Sequence, residues 1–582
     1  MKQLKTRWAD KLEKDHVLKE YPRPSLRRKS YVNLNGIWNY AFSDSRKRPD
    51  TFEGEILVPF SPEAVLSGVG RQLRPGEYLW YGRRLPDEVK KEQGKRWILH
   101  IGAADQCAAV MVNGRPTVRH VGGYIPFSAD VTDLLGGAEN ELTVRIQDHS
   151  DRVFLARGKQ KLERGGMFYT AQSGIWQTVW MEQVPDDHIY GIKITPRYDE
   201  GEVEVLVRSR RERGVVFTVC SGETQAAGAE GCTNRPVRIP LEEIHSWSPE
   251  DPFLYRLYIR MGEDEAESYF AMRKISAERD KRGIPRLFLN NRPYFQKGVL
   301  DQGYWPDGLY TAPSDEAMIF DIMEMKRLGF NMLRKHMKIE PERWYYHCDR
   351  LGMLVWQDMV CGGAPYRHWY VTYAATAMEL FHIRPSDRYY RLLGRRDVKS
   401  RARFMQEMKE TVRALYNHPS IVVWVIFNEG WGQFDANAVT EAARREDASR
   451  LLDSASGWFD QGGGDLWSIH NYFFPLKVRP EKRVAALTEF GGYCLKVKGH
   501  SMCPGMYGYR IYGSRKELGR GYASLMGREV AAQIDRGLSA SVYTQLSDVE
   551  EEVNGIYTYD REVLKIDENI IKKCNEKLVI KE

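Results

Sequence analysis

Two glutamates carry the strongest chemical signal in this 582-residue chain. Glu429 follows the apolar run Ile421–Phe427 within Phe427-Asn428-Glu429-Gly430-Trp431-Gly432, and Glu489 follows Ala485–Thr488 within Thr488-Glu489-Phe490-Gly491-Gly492. A carboxylate placed directly after a buried strand costs desolvation free energy unless it is hydrogen-bonded. One such residue is commonly satisfied by an arginine or a helix cap. Two of them in these contexts ask for chemistry, and glycoside hydrolysis supplies it: one carboxylic acid protonates the leaving oxygen while a second carboxylate meets the positive charge developing at the sugar carbon. Desolvation raises the pKa of the first, and hydrogen bonds keep the second ionised. The neighbouring glycines would let the backbone lie close to a bound ring.

Other residues add weaker signals. Trp305, in Gln302-Gly303-Tyr304-Trp305-Pro306, could stack on a sugar or simply pack; Asp358, closing Trp356-Gln357-Asp358, could hydrogen-bond a hydroxyl of the terminal sugar; Trp431 and Tyr543 could wall the subsite. The acidic run Asp548 to Glu552 reads as a solvated loop rather than a cation site. No metal cage is legible, and the chemistry requires no cofactor.

The elements that would position these groups change character along the chain. From about residue 30 to 185, short apolar or alternating runs (Trp97–Ile101, Ala108–Val112, Glu141–Gln147) and the turn dipeptide Asn113-Gly114 predict a β-sandwich. Residues 186–278 repeat the style in a smaller sandwich, with strands expected at Glu202–Val207 and Leu254–Arg260. Beyond about 279, helical and apolar stretches alternate. Asp315–Leu328 carries apolar residues on one face behind the cap Ser314, and helices Pro341–Leu351 and Val398–Tyr416 lead into strands Met353–Trp356 and Ile421–Phe427. With Phe330–Leu333, Gly457–Asp460, Leu466–Tyr472, Ala485–Phe490 and Ala540–Leu546, they predict a (β/α)8 barrel over 279–582. The long aromatic loop 362–390 would lie on the rim that builds the active site.

At this level of detail the chain resembles glycoside hydrolase family 2, the family of β-galactosidases, β-glucuronidases and β-mannosidases, from about residue 30 to 565. Asn33-Leu34-Asn35-Gly36-Ile37-Trp38, Gly123-Tyr124-Ile125-Pro126-Phe127 and Ser173-Gly174-Ile175-Trp176 resemble its sugar-binding-like jelly roll. Trp247-Ser248-Pro249-Glu250 and Pro252-Phe253-Leu254-Tyr255 resemble the end of its immunoglobulin-like domain, and Gly329 to Arg334 and Cys348 to Gly352 its second and third barrel strands. The resemblance implies a jelly roll over 1–185, an immunoglobulin-like sandwich over 186–278 and a catalytic barrel. It makes Glu429 the general acid/base, Asn428 the ligand of the sugar 2-hydroxyl, Glu489 the nucleophile, Arg334 the group holding that nucleophile ionised, and His470 and Tyr472 its neighbours.

Two departures bear on the sugar. Arg334 is followed by Lys335-His336-Met337, where the β-galactosidases place a serine and then a histidine; and Glu551 to Thr558 lacks the lysine of the glucuronidases' Asn-x-Lys carboxylate clamp. A glucuronide is therefore disfavoured, and a terminal β-galactoside is the expected substrate, ahead of a mannoside, arabinoside or uronide. A carbohydrate-binding protein on the same scaffold is the competing reading.

Composition narrows the partners. The net charge of +7 arises from 86 basic and 79 acidic residues dispersed in short runs, so no nucleic-acid surface is expected. No apolar stretch is long enough to span a membrane. The 8 cysteines show no C-x-x-C spacing and are expected as thiols. With no apolar leader within Met1–Glu20, a cytoplasmic enzyme is expected, its assembly into homo-oligomers left open.

Overall fold

A computed structural model describes residues 3–137, 139–367, 369–375, 378, 384–479 and 481–581. Within the predicted loop 362–390, residues 368, 376, 377 and 379–383 therefore lie outside the described ones.

The first sandwich packs a six-stranded antiparallel sheet, built between Gly36 and Gln147, on a four-stranded one that includes Lys95–Ile101 and Val179–Pro185. Inward residues such as Trp38, Leu79, Tyr81, Val144 and Ile175 fill the space between them. Asn113 and Gly114 both have positive φ (52° and 73°), the geometry a two-residue hairpin turn between twisted strands demands. A second sandwich pairs three strands with four between Ile189 and Phe270, around Val205, Phe217, Leu257 and Ile259. A boundary at 278 cuts through strand Ile275–Arg279, which pairs with Pro285–Leu289 to form a hairpin closing the lower mouth of the barrel. Ile275 and Leu287 pack into the same core as Leu300, Met332, Leu354 and Ala540, and buried Arg286 donates to the carbonyl of Leu538 (2.9 Å).

Eight parallel strands follow: β1 Gln296–Asp301, β2 Met332–Lys335, β3 Leu354–Asp358, β4 Ile421–Val425, β5 Leu451–Asp453, β6 Leu466–Asn471, β7 Val484–Gly491 and β8 Leu538–Thr544. Their hydrogen-bonded order runs β5-β4-β3-β2-β1-β8-β7-β6, a nearly closed barrel. Where the ladder is interrupted between β5 and β6, Ser468 Oγ donates to Asp453 Oδ2 (2.5 Å). Strand β4 is buried at every position, as its run Ile-Val-Val-Trp-Val requires of a strand covered on both faces. Helix α1 (Asp315–Arg327) starts where expected: Ser314 Oγ accepts the Ala317 N–H, acids sit in the first turn and bases in the last. Helices α2 (Glu342–Leu351) and α3 (Val398–Leu415) also match.

Two expectations change. Gly457–Asp460 is irregular, and the fifth strand is the three-residue Leu451–Asp453, too short for an apolar run to announce it. Among the described residues, the connections from β5 to β6 and from β6 to β7 carry no helix, so on that side the alternation fails.

The segment before residue 30 runs along the first sandwich and straps it to the barrel. Thr6 donates its N–H and hydroxyl to Asp307, Arg7 Nη2 reaches the carbonyl of Arg561 (2.9 Å), Arg23 pairs with Glu182 and Ser25 bonds Glu342.

Candidate active site

The carboxylates converge at the C-terminal ends of the barrel strands. One oxygen of Glu429, one of Glu489 and a ring nitrogen of His470 lie within 4.8 Å of one another. Both glutamates sit on irregular backbone. Glu429 lies just past β4 with φ +51°, a strained value for a non-glycine residue that is held by its N–H donating to the carbonyl of Ser456 (2.9 Å). Around Glu489 the β7 ladders shift register on both sides, and the bulge turns its side chain inward opposite His470.

Arg334, fully buried at the end of β2, organises the Glu489 side. Its Nη1 donates to Glu489 Oε1 (3.1 Å) and to the carbonyl of Thr488 (3.1 Å), a group the ladder irregularity leaves without a strand partner. Its Nε and Nη2 grip Asp358 bidentately (2.9 and 3.0 Å), and Nη2 also donates to Asn428 Oδ1 (2.8 Å). Lysine could not reproduce this planar fork. Tyr472 donates to the other oxygen, Glu489 Oε2 (2.6 Å). Burial alone would push the Glu489 carboxyl up, but the charges of His470 and Arg334, with the Tyr472 hydroxyl, overcome it and hold the group down at about 2. Glu489 is thus an anion at neutral pH with both oxygens oriented.

Glu429 is held differently. His470 Nδ1 lies 2.9 Å from Glu429 Oε1, its Nε2 lies 2.9 Å from Ser456 Oγ, and Glu489 Oε1 is 3.7 Å away. Burial disfavours the imidazolium, yet the two carboxylates outweigh it and raise the pKa of His470 above the usual imidazole range. The ring therefore bridges the two glutamates rather than filling core. With Asn428 Oδ1 taken by Arg334, its Nδ2 has no partner among the described residues and is free to donate to a sugar hydroxyl.

Glu429, His470 and Glu489 are of metal-ligating types, but a cation there would face the Arg334 guanidinium and compete with donors already on Glu489. The arrangement suits proton transfer and attack on an electrophilic carbon.

Three expected sugar contacts take other roles. Asp358 is 1% exposed, and its oxygens are occupied by Arg334 and by His336 Nδ1 (2.7 Å), so it orients the arginine instead of meeting a hydroxyl. Trp305 lies under the Arg561 guanidinium (4.1 Å from the ring centre) with Trp8 edge-on, part of the packing around the N-terminal strap. Tyr543 packs against Phe490 and Tyr522 outside the barrel. Trp431 does stay at the rim, stacked by Tyr366 and by Phe168 from the first sandwich. The glycines serve protein aromatics: a Cβ on Gly430 would come 2.6 Å from the Phe459 ring, and one on Gly491 2.4 Å from Tyr543.

The acidic run is not solvated. Glu550 accepts from Arg164 (3.0 Å) and from the Thr170 N–H (2.9 Å), Glu552 from the Tyr169 hydroxyl, and buried Asp548 pairs with Lys565 (2.5 Å). These bonds clamp the loop after β8 to residues 164–170 of the first sandwich, which brings Phe168 onto the barrel rim. Sequence reasoning read this run as solvated, named His336 without giving it a partner, and missed Ser456 and Tyr509, whose ring stacks on Tyr472 at 3.9 Å. Only His336, two residues beyond Arg334, carried a local signal.

Comparison with known proteins agrees with this architecture. Residues 285–473 match the family model for the TIM barrel domain of glycosyl hydrolases family 2, and 187–273 match a second model of glycosyl hydrolases family 2. The chain is 22% identical over 434 residues to a β-glucuronidase of Streptococcus agalactiae (70% of this chain, 68% of the relative) and 27% identical over 389 residues to a β-galactosidase of Aeromonas hydrophila (62% and 34%). It spans between 34% and 68% of the first three curated relatives it matches. Among solved structures, the β-D-glucuronidase of Dictyoglomus thermophilum superposes with a TM-score of 0.74 over 96% of this chain and 99% of its own at 16% identity, a likeness of fold. Sandwich and barrel models of glycosyl hydrolases family 2 thus match this chain in consecutive order, as the resemblance read from its motifs implies.

Proposed function

We propose that this protein hydrolyses terminal β-glycosides with retention of configuration, with Glu489 as nucleophile and Glu429 as acid/base. The observation that carries the reading is the separation of the two carboxylates, whose nearest oxygens lie within 4.8 Å. Retaining enzymes hold the pair roughly 5–5.5 Å apart, and inverting ones about 6.5–9.5 Å apart to admit a water between them. In the first step Glu489 bonds to the anomeric carbon as the C–O bond to the leaving group breaks and Glu429 gives that oxygen its proton. In the second, water attacks the same carbon, Glu429 takes the water's proton, and the bond to Glu489 breaks. Arg334 and Tyr472 keep the nucleophile ionised and aimed, Asn428 Nδ2 is the donor for the 2-hydroxyl, and His470 passes its hydrogen bond to Glu429.

For the terminal sugar, a neutral β-galactoside is favoured. The stretch 551–558 has no lysine to clamp a uronate carboxylate, and the nearby Lys565 ammonium is consumed by Asp548 and the carbonyls of Leu495 and Val553. Relatives named for galactosides and for glucuronides make a comparative assay decisive. A panel of aryl β-glycosides should give turnover with the galactoside, loss of at least ~10⁴-fold in Glu489→Ala, and a β-glycosyl azide product when azide rescues Glu429→Ala. An α-configured product, or equal turnover by Glu489→Ala, would refute the assignment.

A further inference from the structure

The described surface makes wide use of ion pairs, yet one cleft collects cations without them. About 720 Å³ in volume, it opens between residues 364–367 and 391–399, on the rim connection from β3 to α3. Arg367, Arg391, Arg396 and Lys399 line it, all exposed, and among the described residues none of their side chains meets a carboxylate or any other hydrogen-bond partner. The single acid in the lining, Asp397, already uses its carboxylate to cap α3 by accepting the Lys399 N–H (2.8 Å). The N-terminus of that 18-residue helix adds its positive end to the same space. Four unpaired like charges repel one another, so an anion entering the cleft gains from all of them at once.

The cleft shares its floor with the catalytic loop. Beneath it, buried Arg395 donates from Nε to the carbonyl of Gly432 (2.7 Å), three residues beyond Glu429, and the Ala364 N–H donates to the carbonyl of Gly394 (2.9 Å). Tyr366, between two lining residues, stacks on Trp431. The same connection exposes Trp369 (56%) and Tyr389 (59%), flat surfaces of the kind sugar rings cover.

We propose that the cleft binds the remainder of the substrate, an acidic oligosaccharide bearing sulfate esters or uronate groups, on the leaving-group side of the sugar cleaved between Glu429 and Glu489. This rests on the glycosidase reading and extends it: a neutral sugar is removed from an anionic chain. Arginine forks suit both sulfate and carboxylate oxygens.

The test is calorimetric titration of the full chain with a sulfated galactan hexasaccharide, the same hexasaccharide desulfated, an oligogalacturonate and a polyuridylate of matched charge, at 50 and 300 mM salt. The comparison protein is the triple variant Arg391→Ala, Arg396→Ala, Lys399→Ala. Wild type should bind at least one acidic glycan, weaken at the higher salt, and bind it at least thirtyfold more tightly than the variant does, while both turn over an aryl glycoside equally. Equal binding by the variant, equal binding of the desulfated chain, no binding of either acidic glycan, or polyuridylate binding as tight as the glycans would each overturn the proposal. If neither protein cleaves any aryl glycoside but acidic-glycan binding still depends on the three cations, the hydrolase reading falls and the cleft assignment stands.

Discussion

Removing the Arg334 charge should move the acid limb of activity into a measurable range. In the wild type the Glu489 carboxyl is held at about 2, so the proposed nucleophile stays ionised above pH 4. The Arg334–Glu489 contact is 3.1 Å between donor and acceptor. Unit charges centred about 4 Å apart in a partly screened protein interior interact by about 4 kcal/mol, close to a thousandfold in an acid dissociation constant. Arg334→Met should therefore lift the Glu489 carboxyl from about 2 to roughly 5. Because kcat/KM reports the free enzyme, its profile on an aryl β-galactoside between pH 4 and 8 should gain a falling acid limb near pH 5 that the wild type lacks. The sign follows from the anion being the reactive form: the group is lost as pH falls through its folded pKa, now moved upward. At pH 7 a drop of roughly 10²-fold should remain, since Asn428 and Asp358 lose the guanidinium that aligns them. Arg334→Lys should show a smaller shift, keeping charge without the fork. Superimposable wild-type and Arg334→Met profiles, with the variant's circular dichroism unchanged, would refute the reasoning.

Other outcomes follow from the same geometry. Trp305→Ala should lower stability by about 3–5 kcal/mol in denaturant melts and leave KM within twofold, because its ring serves packing against Arg561 and Trp8; a tenfold rise in KM with stability unchanged would restore it to the sugar site. Phe168→Ala removes the ring that the first sandwich places on Trp431, and steady-state kinetics should show KM rising about fivefold with kcat nearly constant. Tyr169→Phe leaves the buried Glu552 without its hydroxyl donor, which should cost about 1–3 kcal/mol in thermal unfolding. His470→Phe should alter the shape of the pH–rate profile as well as its height, since both carboxylates lose the imidazole they share; a uniform drop at every pH would make the ring merely structural.

Much of the site was legible because parallel barrels write it into short motifs. An apolar run that must be buried on both faces, ended by Asn428 and Glu429, can only present those groups at the rim, and the same holds for Glu489 after Ala485–Thr488. Arg334 and Tyr472 followed from resemblance, and their bonds to Glu489 give those positions a physical reason. What stayed hidden depends on distant pairing. Asp358 has the sequence of a ligand for sugar, and only the fold discloses that Arg334 and His336 consume it. The run Asp548 to Glu552 looks hydrophilic until Arg164 and Tyr169, almost 400 residues upstream (386 and 383), arrive to donate hydrogen bonds to it. Strand β5 has three residues and no periodicity to detect. The hairpin 275–293 blurs a boundary that composition drew at 278, because its apolar residues serve the barrel floor although its first strand directly follows the second sandwich.

The strap formed by residues 4–28 also has a bearing on biosynthesis. Arg23 can pair with Glu182 as soon as the first sandwich is made, but Arg7 meets the carbonyl of Arg561 across 554 positions of chain, so during translation that end of the strap waits until nearly all of the barrel has left the ribosome. Both sandwiches can close earlier, on contacts made within themselves. Docking of the strap is thereby completed late, and a nascent polypeptide halted before the final barrel strand would lack the Arg561 contact that fastens its leading end, leaving that end more open to chaperones or proteases.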